Sequence, residues 1–207
     1  MDSTATVTNE RDGIRRAAVA LLNSGGFSAA TVAEICAAAG VDQATFDRHF
    51  ASLNEVYLAI AESLVADHVE NMSATMLRRR SLTESMKLML LAFWGLVEER
   101  LDDHRALKYL TFAGLAGEAH GGDGDTSSLY ATFLDQTEAQ LLEIERIHSI
   151  TWELPVRQLA RMMLATLDGL VLDYLVNRDS GGARQMLEIF AYHLAQHGRR
   201  VAKNYPH

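Results

Sequence analysis

The chain has 207 residues and a formal net charge of −8, with 48% hydrophobic and 22% charged residues. This composition is typical of a soluble globular protein and excludes a disordered, collagen-like or disulfide-scaffold chain. The single cysteine, Cys36, cannot form an internal disulfide, which favours a reducing, cytoplasmic compartment. Residues 1–13 lack the apolar core of a signal peptide, and no apolar run approaches the length of about 18 residues that a membrane-spanning helix needs.

Helical periodicity and capping signals predict three helices in the first 55 residues. Apolar residues recur at helical spacing from Ile14, and a glycine pair follows them. A capping box then pairs Thr31 with Glu34 and opens a second helix. The predicted helices run from Ile14 to Gly25, from Thr31 to Gly40, and from an N-cap at Asp42 to about Phe50.

Helical signals continue through the rest of the chain, and strand alternation is almost absent. The sequence therefore predicts an all-α fold of about nine helices, with a loop over residues 120–125. The stretch 155–177 is apolar nearly all round, which predicts burial on every side. The later helices are predicted at about 52–80, 81–101, 103–118, 126–147, 155–177 and 183–203.

Residues 14–56 have the plan of a helix-turn-helix, with a tight turn at Ala39-Gly40-Val41 between the second and third helices. This stretch resembles the DNA-binding domain of the TetR/AcrR family of bacterial transcriptional regulators, in order and without a gap. The resemblance rests on Ile14, Ala17, Ala18, Gly26, Phe27, Thr31, Ile35, Ala38, Ala39, Gly40, Val41, Thr45, Phe46, His49, Phe50, Ser52, Glu55 and Val56.

Several residues of this motif are candidates for contact with DNA. Thr31 offers a hydroxyl and free N–H groups at a helix N-terminus, where a phosphate can bind. The family pattern gives His49 a phosphate contact, and Arg11, Arg15 and Arg16 could reach the backbone or the minor groove. Phe27 and Phe50 are expected to anchor the small core. The candidates for reaching base edges lie on the first turns of the third helix and are Gln43, Ala44, Thr45 and Arg48.

Two positions depart from the family pattern, which usually has a tyrosine and a lysine that contact phosphate. This chain has Asp47 and Leu53 there, and Asp47 would be repelled by phosphate. Residues 1–55 hold four Arg and Lys against seven Asp and Glu, a net charge of −3. We therefore expect DNA binding that is weakly electrostatic and depends on base contacts and dimer geometry.

The resemblance implies a DNA-binding domain over residues 1–55 and a ligand-binding and dimerisation domain over residues 56–207. In the family, helices corresponding to about 82–147 enclose a ligand cavity, and methionine and aromatic linings suit apolar or aromatic ligands. Polar groups for such a cavity could come from His68, Gln136 or Gln140. The predicted lining residues are Met89, Phe93, Phe112, Tyr130, Phe133 and Leu167.

The last two predicted helices, about 155–177 and 183–203, resemble the family's dimerisation pair. The function implied is a ligand-responsive regulator, a repressor that binds a palindromic double-stranded operator as a homodimer and is released by a small apolar or aromatic effector. We expect no enzymatic activity, no cofactor and no membrane contact. The alternative is an all-α ligand-binding or enzymatic protein whose helix-turn-helix is vestigial, an interpretation favoured by Asp47, Leu53 and the acidic balance.

Other chemistry-bearing residues favour structural roles. His193 and His197 have metal-ligand spacing but share an apolar stripe, which favours a buried or interface pair. A single Glu145-x-x-His148 falls short of the two such motifs of a di-iron bundle. Cys36 is expected to be an inert core residue, residues 78–80 a solvated helix end, and the glycines at 121–124 match no phosphate-binding loop.

Overall fold

The computed structural model describes residues 3–26, 28–75, 81–116 and 126–200, and side chains within 9–26, 28–75, 81–112 and 130–200. Nine α-helices and one two-stranded antiparallel ribbon account for nearly all of these residues, so the fold is essentially all-α. Phe27, the arginines at 78–80 and the loop predicted at 120–125 lie outside the described residues.

Most helices begin and end close to the predicted bounds, but the first helix begins at Ser3 rather than near Ile14. Thr31, Asp42 and Asp179 each cap a helix with a side-chain oxygen that accepts a backbone N–H. Gly26 and Gly40 adopt positive φ after the first and second helices. The helices are α1 (Ser3–Gly25), α2 (Val32–Ala39), α3 (Gln43–His49), α4 (Leu53–Ala74), α5 (Leu82–Glu99), α6 (Leu101–Ala116), α7 (Thr126–His148), α8 (Val156–Asn177) and α9 (Ser180–Gln196).

The C-terminal part corrects one prediction and leaves another open. The last helix ends at Gln196 rather than near residue 203, because the backbone turns into strand β2 (Gly198–Arg200), which pairs with β1 (Ile150–Trp152). Within the single chain α8 is buried on one face only, and its predicted burial against a second subunit stays a prediction. One face of α8 packs in the core, while Met162, Leu172 and Val176 on its surface are exposed, Val176 to 73%.

Two compact units make up the chain. The first comprises Met1–Leu64 with Arg100–Leu129, and its core holds Ile14, Ile35, Phe46, Phe50, Val56 and Ala106. Arg15 donates to Asp103 across 2.8 Å, which ties α1 to the start of α6 within this unit. These units are sets of mutually contacting residues, and the functional boundary predicted after residue 55 stays a prediction.

The second unit comprises Val65–Glu99 with Tyr130–His207. Its core is formed mainly by α5, α7, α8 and α9, with Trp94 fully buried among them. The indole N–H of Trp94 donates to Ser180, and Ser180 and Arg184 both bind the Glu98 carboxylate. Trp152 of the ribbon donates its indole N–H to the carbonyl of Leu141, so the ribbon is fixed to α7.

Candidate nucleic-acid interface

The turn between α2 and α3 is set by backbone geometry that requires glycine. Gly40 has φ +69°, a left-handed conformation that glycine adopts without steric cost. The N–H of Val41 donates to the carbonyl of Cys36, which closes the turn. Asp42 then accepts the N–H of Thr45 across 2.8 Å and starts α3. Both helices of the motif therefore have defined ends only a few residues apart.

The buried side of α3 fixes which residues it can present outward. Phe46 and Phe50 are almost fully buried and pack with ring centroids 5.9 Å apart. Because these two positions face the core, the opposite side of the helix faces water. The exposed side chains are Gln43, Ala44, Asp47 and Arg48, while Thr45 is half-buried. Three of the four predicted base-reading residues thus lie fully on the exposed side of one short helix.

Thr31 occupies the predicted helix N-terminus, but its hydroxyl already has a partner. It donates to a Glu34 carboxylate oxygen across 2.8 Å and accepts the N–H of Glu34 across 3.3 Å. This reciprocal capping box stabilises α2. It also places a carboxylate beside the atom predicted to meet a phosphate, so a phosphate contact by Thr31 requires Glu34 to move.

Arg48 and His49 at the end of α3 both approach one carboxylate, Glu10 of α1. Nε2 of His49 donates to Oε2 of Glu10 across 3.1 Å, and the His49 side chain is only 7% exposed. Arg48 lies 3.7 Å from the same oxygen, donates to the hydroxyl of Thr45 across 2.9 Å, and is 66% exposed. Sequence reasoning missed Glu10. Its distance of 39 residues from His49 gives no spacing signal, although it lies one helical turn before the buried Ile14.

The three arginines of α1 differ in how accessible their side chains are to DNA. Arg15 is committed to Asp103 and its side chain is 14% exposed, so it is poorly placed to reach DNA. Arg11 lies over the ring of Phe50, with its guanidinium carbon 4.9 Å from the ring centroid. Arg16 is exposed and donates to the carbonyl of Asp12. Arg16 and Arg11 are therefore the more accessible cations of this helix.

Acidic groups lie close to the exposed side of α3. Hydrogen bonds from the side chain and the backbone N–H of Thr45 lower the pKa of Asp42, so this carboxylate is charged at neutral pH.

Burial, followed by the charges of Asp47 and Asp42, raises the pKa of the Cys36 thiol. Cys36 is buried and therefore the inert core residue that was predicted. Leu53, at the usual lysine position, packs against the core of this unit.

The comparisons with known proteins agree with this geometry. The model of the family "Bacterial regulatory proteins, tetR family" matches residues 14–60, from the middle of α1 into α4. Residues 14–60 are a tetR-family domain. The described helix-turn-helix of α2 and α3 lies at the centre of this domain. A comparison with curated proteins finds no significant sequence match.

Solved structures extend the likeness of the fold beyond the tetR-family domain. A transcriptional regulator from Rhodococcus sp. Rha1 superposes with a TM-score of 0.73 at 17% identity, covering 93% of this chain and 99% of its own. TylP, a tetR regulator from Streptomyces fradiae, gives 0.69 at 20% identity over 95% and 82%. The fatty acid degradation regulator FadR from Bacillus halodurans gives 0.68 at 19% identity over 88% and 94%. The chain therefore shares the fold of these regulators over 88–95% of its length.

The residues predicted to bind an effector are only partly brought together. Met89 and Leu167 are buried in the core of the second unit, and Phe93 and Phe133 pack against that core. Tyr130 and Gln136 are exposed on α7, and Phe112 lies on α6 in the first unit with 53% exposure. Gln140, a further predicted polar group, is buried.

His68 is the most distinctive polar group near these side chains. Its ring stacks on Phe93 with centroids 4.4 Å apart and an interplanar angle of 20°. The residue is 8% exposed, and burial lowers the pKa of His68 to about 4. His68 is therefore neutral at physiological pH.

The remaining candidates show no arrangement of metal ligands. Over the described ranges, no group of three or more His, Cys, Asp or Glu residues could hold a metal ion. His193 is exposed beside the ring of Tyr192, and His197 lies 3.8 Å from Glu153, so the two are not buried together within the single chain, and the predicted interface pair stays a prediction. His148 accepts or donates a hydrogen bond with Ser85 at 2.9 Å, and burial lowers the pKa of His148.

In the part of the chain that the structure covers, no helix is long and apolar enough to cross a membrane.

Proposed function

We propose that this protein is a cytoplasmic transcriptional repressor that binds a palindromic DNA operator as a homodimer and is not an enzyme. The observation that carries the proposal is the match of residues 14–60 to the tetR-family domain together with the exposed first turns of α3. A glutamine and an arginine there have the chemistry to read adenine and guanine edges in the major groove. A phosphate contact by Thr31 is part of the proposal, whereas the one predicted for His49 stays a prediction, because Nε2 of this largely buried side chain already donates to Glu10.

The homodimer is supported by an apolar surface on α8 and α9. These two helices pack together, and each also carries large apolar residues that face water in the single chain. A soluble chain rarely leaves such side chains uncovered as a group. They are Met162, Leu172 and Val176 on α8 and Met186, Ile189 and Tyr192 on α9.

The DNA-binding proposal is tested by selecting duplexes from a random-sequence library with the purified protein. The expected result is a palindromic consensus, since two copies related by a two-fold axis read inverted half-sites. Arg48→Ala and Gln43→Ala should each relax the preference at one position of the half-site, costing about 1–3 kcal/mol there. Arg146→Ala, which removes an exposed arginine on α7, is the matched control and should leave the consensus unchanged. Recovery of random sequences would support the vestigial alternative.

The effector proposal places a small apolar or aromatic molecule among Met89, Phe93, Phe133 and Leu167 of the second unit. Tyr130 is a further predicted lining residue and Gln136 a predicted polar group, while the contact predicted for Phe112, a residue of the first unit, stays a prediction. Methionine and aromatic side chains adapt to apolar ligands. The test is native mass spectrometry of the purified protein for a co-purified molecule. Phe93→Ala should lose it, whereas Tyr109→Ala, which removes an exposed aromatic ring on α6, should retain it. Equal retention by both variants would contradict this placement.

A further inference from the structure

We propose that Glu10 is a specificity-determining residue for DNA binding, acting by pairing with Arg48 and His49 in the unbound protein. This inference rests on the proposed function, because it concerns how the same surface chooses among DNA sequences. Its starting observation is that one carboxylate oxygen, Oε2 of Glu10, is shared by the two side chains at the end of α3.

The two contacts of Glu10 differ in strength and exposure. His49 is almost fully buried and donates to Glu10 at 3.1 Å, so this hydrogen bond holds the carboxylate in place. Arg48 is mostly exposed and lies at 3.7 Å, the geometry of a weak surface ion pair. Arg48 can therefore leave Glu10 with little loss, while Glu10 itself remains anchored beside α3.

The anchored carboxylate acts differently on two kinds of DNA contact. When Arg48 turns to a backbone phosphate, it exchanges its contact with Glu10 for a similar exposed contact with the phosphate. The phosphate then lies close to the negative charge of Glu10 and is repelled by it. An Arg48 that reaches a guanine edge gains two directed hydrogen bonds, which are made only with the correct base. Glu10 therefore disfavours binding through the backbone alone more than it disfavours binding at a matching sequence.

The net charge of the N-terminal residues and a comparison with Asp12 also support this assignment. The first 55 residues have a net charge of −3, so backbone attraction is already low. Asp12, also on α1, provides a matched comparison because it is exposed and lies 3.7 Å from Arg15, a side chain that is committed to Asp103. Neutralising Asp12 changes the net charge by the same amount as neutralising Glu10 but does not release Arg48.

The experiment measures affinity for two fluorescent duplexes, one of random sequence and one that the wild-type protein selects from a library. Glu10→Gln keeps a hydrogen-bonding partner for His49 and removes the charge. Glu10→Gln should raise the affinity for the random duplex roughly fivefold and the affinity for the selected duplex much less. The ratio of the selected-duplex affinity to the random-duplex affinity should therefore fall. Asp12→Asn should shift both affinities equally. Glu10→Asp, which retracts the carboxylate by one methylene, should give a smaller change in the direction of Glu10→Gln.

The decisive comparison repeats Glu10→Gln in an Arg48→Ala background. The effect on the ratio should disappear there, because no arginine remains to be released. Equal effects of Glu10→Gln and Asp12→Asn, persistence of the effect without Arg48, or weaker binding by Glu10→Gln would each overturn the inference while leaving the DNA-binding proposal intact. Absence of binding to any duplex by the wild-type protein would overturn the proposed function and this inference together.

Discussion

If the helix-turn-helix binds DNA as we propose, single charges near α3 should set how strongly it binds, and Asp47 is the clearest case. Its carboxylate is exposed on α3, between the base-reading positions and the end of the helix. Asp47→Asn should raise affinity for random-sequence duplex by about fivefold at low salt, since unit charges ~4 Å apart in water interact with about 1 kcal/mol. The gain should shrink as salt is added, because the repulsion that is removed is screened. Fluorescence anisotropy titrations over a salt series measure both effects.

The control for this prediction is Glu70→Gln on α4, which removes the same charge from an exposed carboxylate outside the helix-turn-helix. A similar gain for both variants would show that net charge alone governs binding. Restoring the family lysine by Leu53→Lys is a poorer test, because Leu53 packs against the core of its unit and the change would also lower stability.

Contacts between side chains far apart in sequence were the part of the site that could not be predicted. Position on α3 was enough to place Gln43, Ala44 and Arg48 on the exposed side, since Phe46 and Phe50 had to face inward. The Glu10–His49 hydrogen bond and the Arg15–Asp103 ion pair depend on how helices pack, and they join residues 39 and 88 positions apart. They change which of the predicted cations are available.

Helices were predictable here because their ends are marked locally. Capping residues at Thr31, Asp42 and Ser81, together with Gly40, set boundaries that agree with the structure to within a residue or two. The ribbon of β1 and β2 was missed because three-residue strands are too short to show alternation. The pattern of α8 was apolar on all sides, yet hydrophobicity alone does not distinguish burial in a core from burial against another chain.

The packing of α4 on α5 in the second unit carries a pH dependence through His68. Because burial lowers the pKa of His68 to about 4 from its ordinary value of 6.5, the unfolded chain binds a proton more readily than the folded protein. The stability that depends on neutral His68 is therefore fully present above pH 6.5 and is lost as pH falls toward 4. The difference amounts to at most roughly 3 kcal/mol.

His68→Asn should flatten the fall in unfolding free energy between pH 6.5 and 4, measured by urea denaturation at a series of pH values. The variant loses the stack on Phe93, so it should also be less stable at neutral pH. Phe93→Leu is the control, since it removes the same ring stack but keeps the buried His68, and it should leave the pH profile as it is in the wild type. A His68→Asn profile that parallels the wild type would contradict this account.

In the proposed function, discrimination of an operator by the helix-turn-helix depends on assembly into a dimer. One copy of α3 presents few base contacts on an acidic background, so a single copy has little with which to discriminate an operator. Two copies in a symmetric dimer read two half-sites about one helical turn, ~34–36 Å, apart. Because the two copies are joined, binding of the second half-site becomes intramolecular, and the dimer binds the full site far more tightly than one copy binds a half-site. The apolar faces of α8 and α9 are where we propose that this dimer forms.

Ile189→Glu places a charge in the middle of the exposed apolar face of α9. Burying that charge against a second copy is unfavourable, so the variant should sediment as a monomer where the wild type sediments as a dimer. Its affinity for the selected palindrome should fall by ~10²-fold or more, while its weak affinity for an isolated half-site should be unchanged. Ala139→Glu adds the same charge to an exposed position of α7 and should preserve both dimer and affinity. A dimeric Ile189→Glu variant with intact operator binding would place the interface elsewhere on the chain.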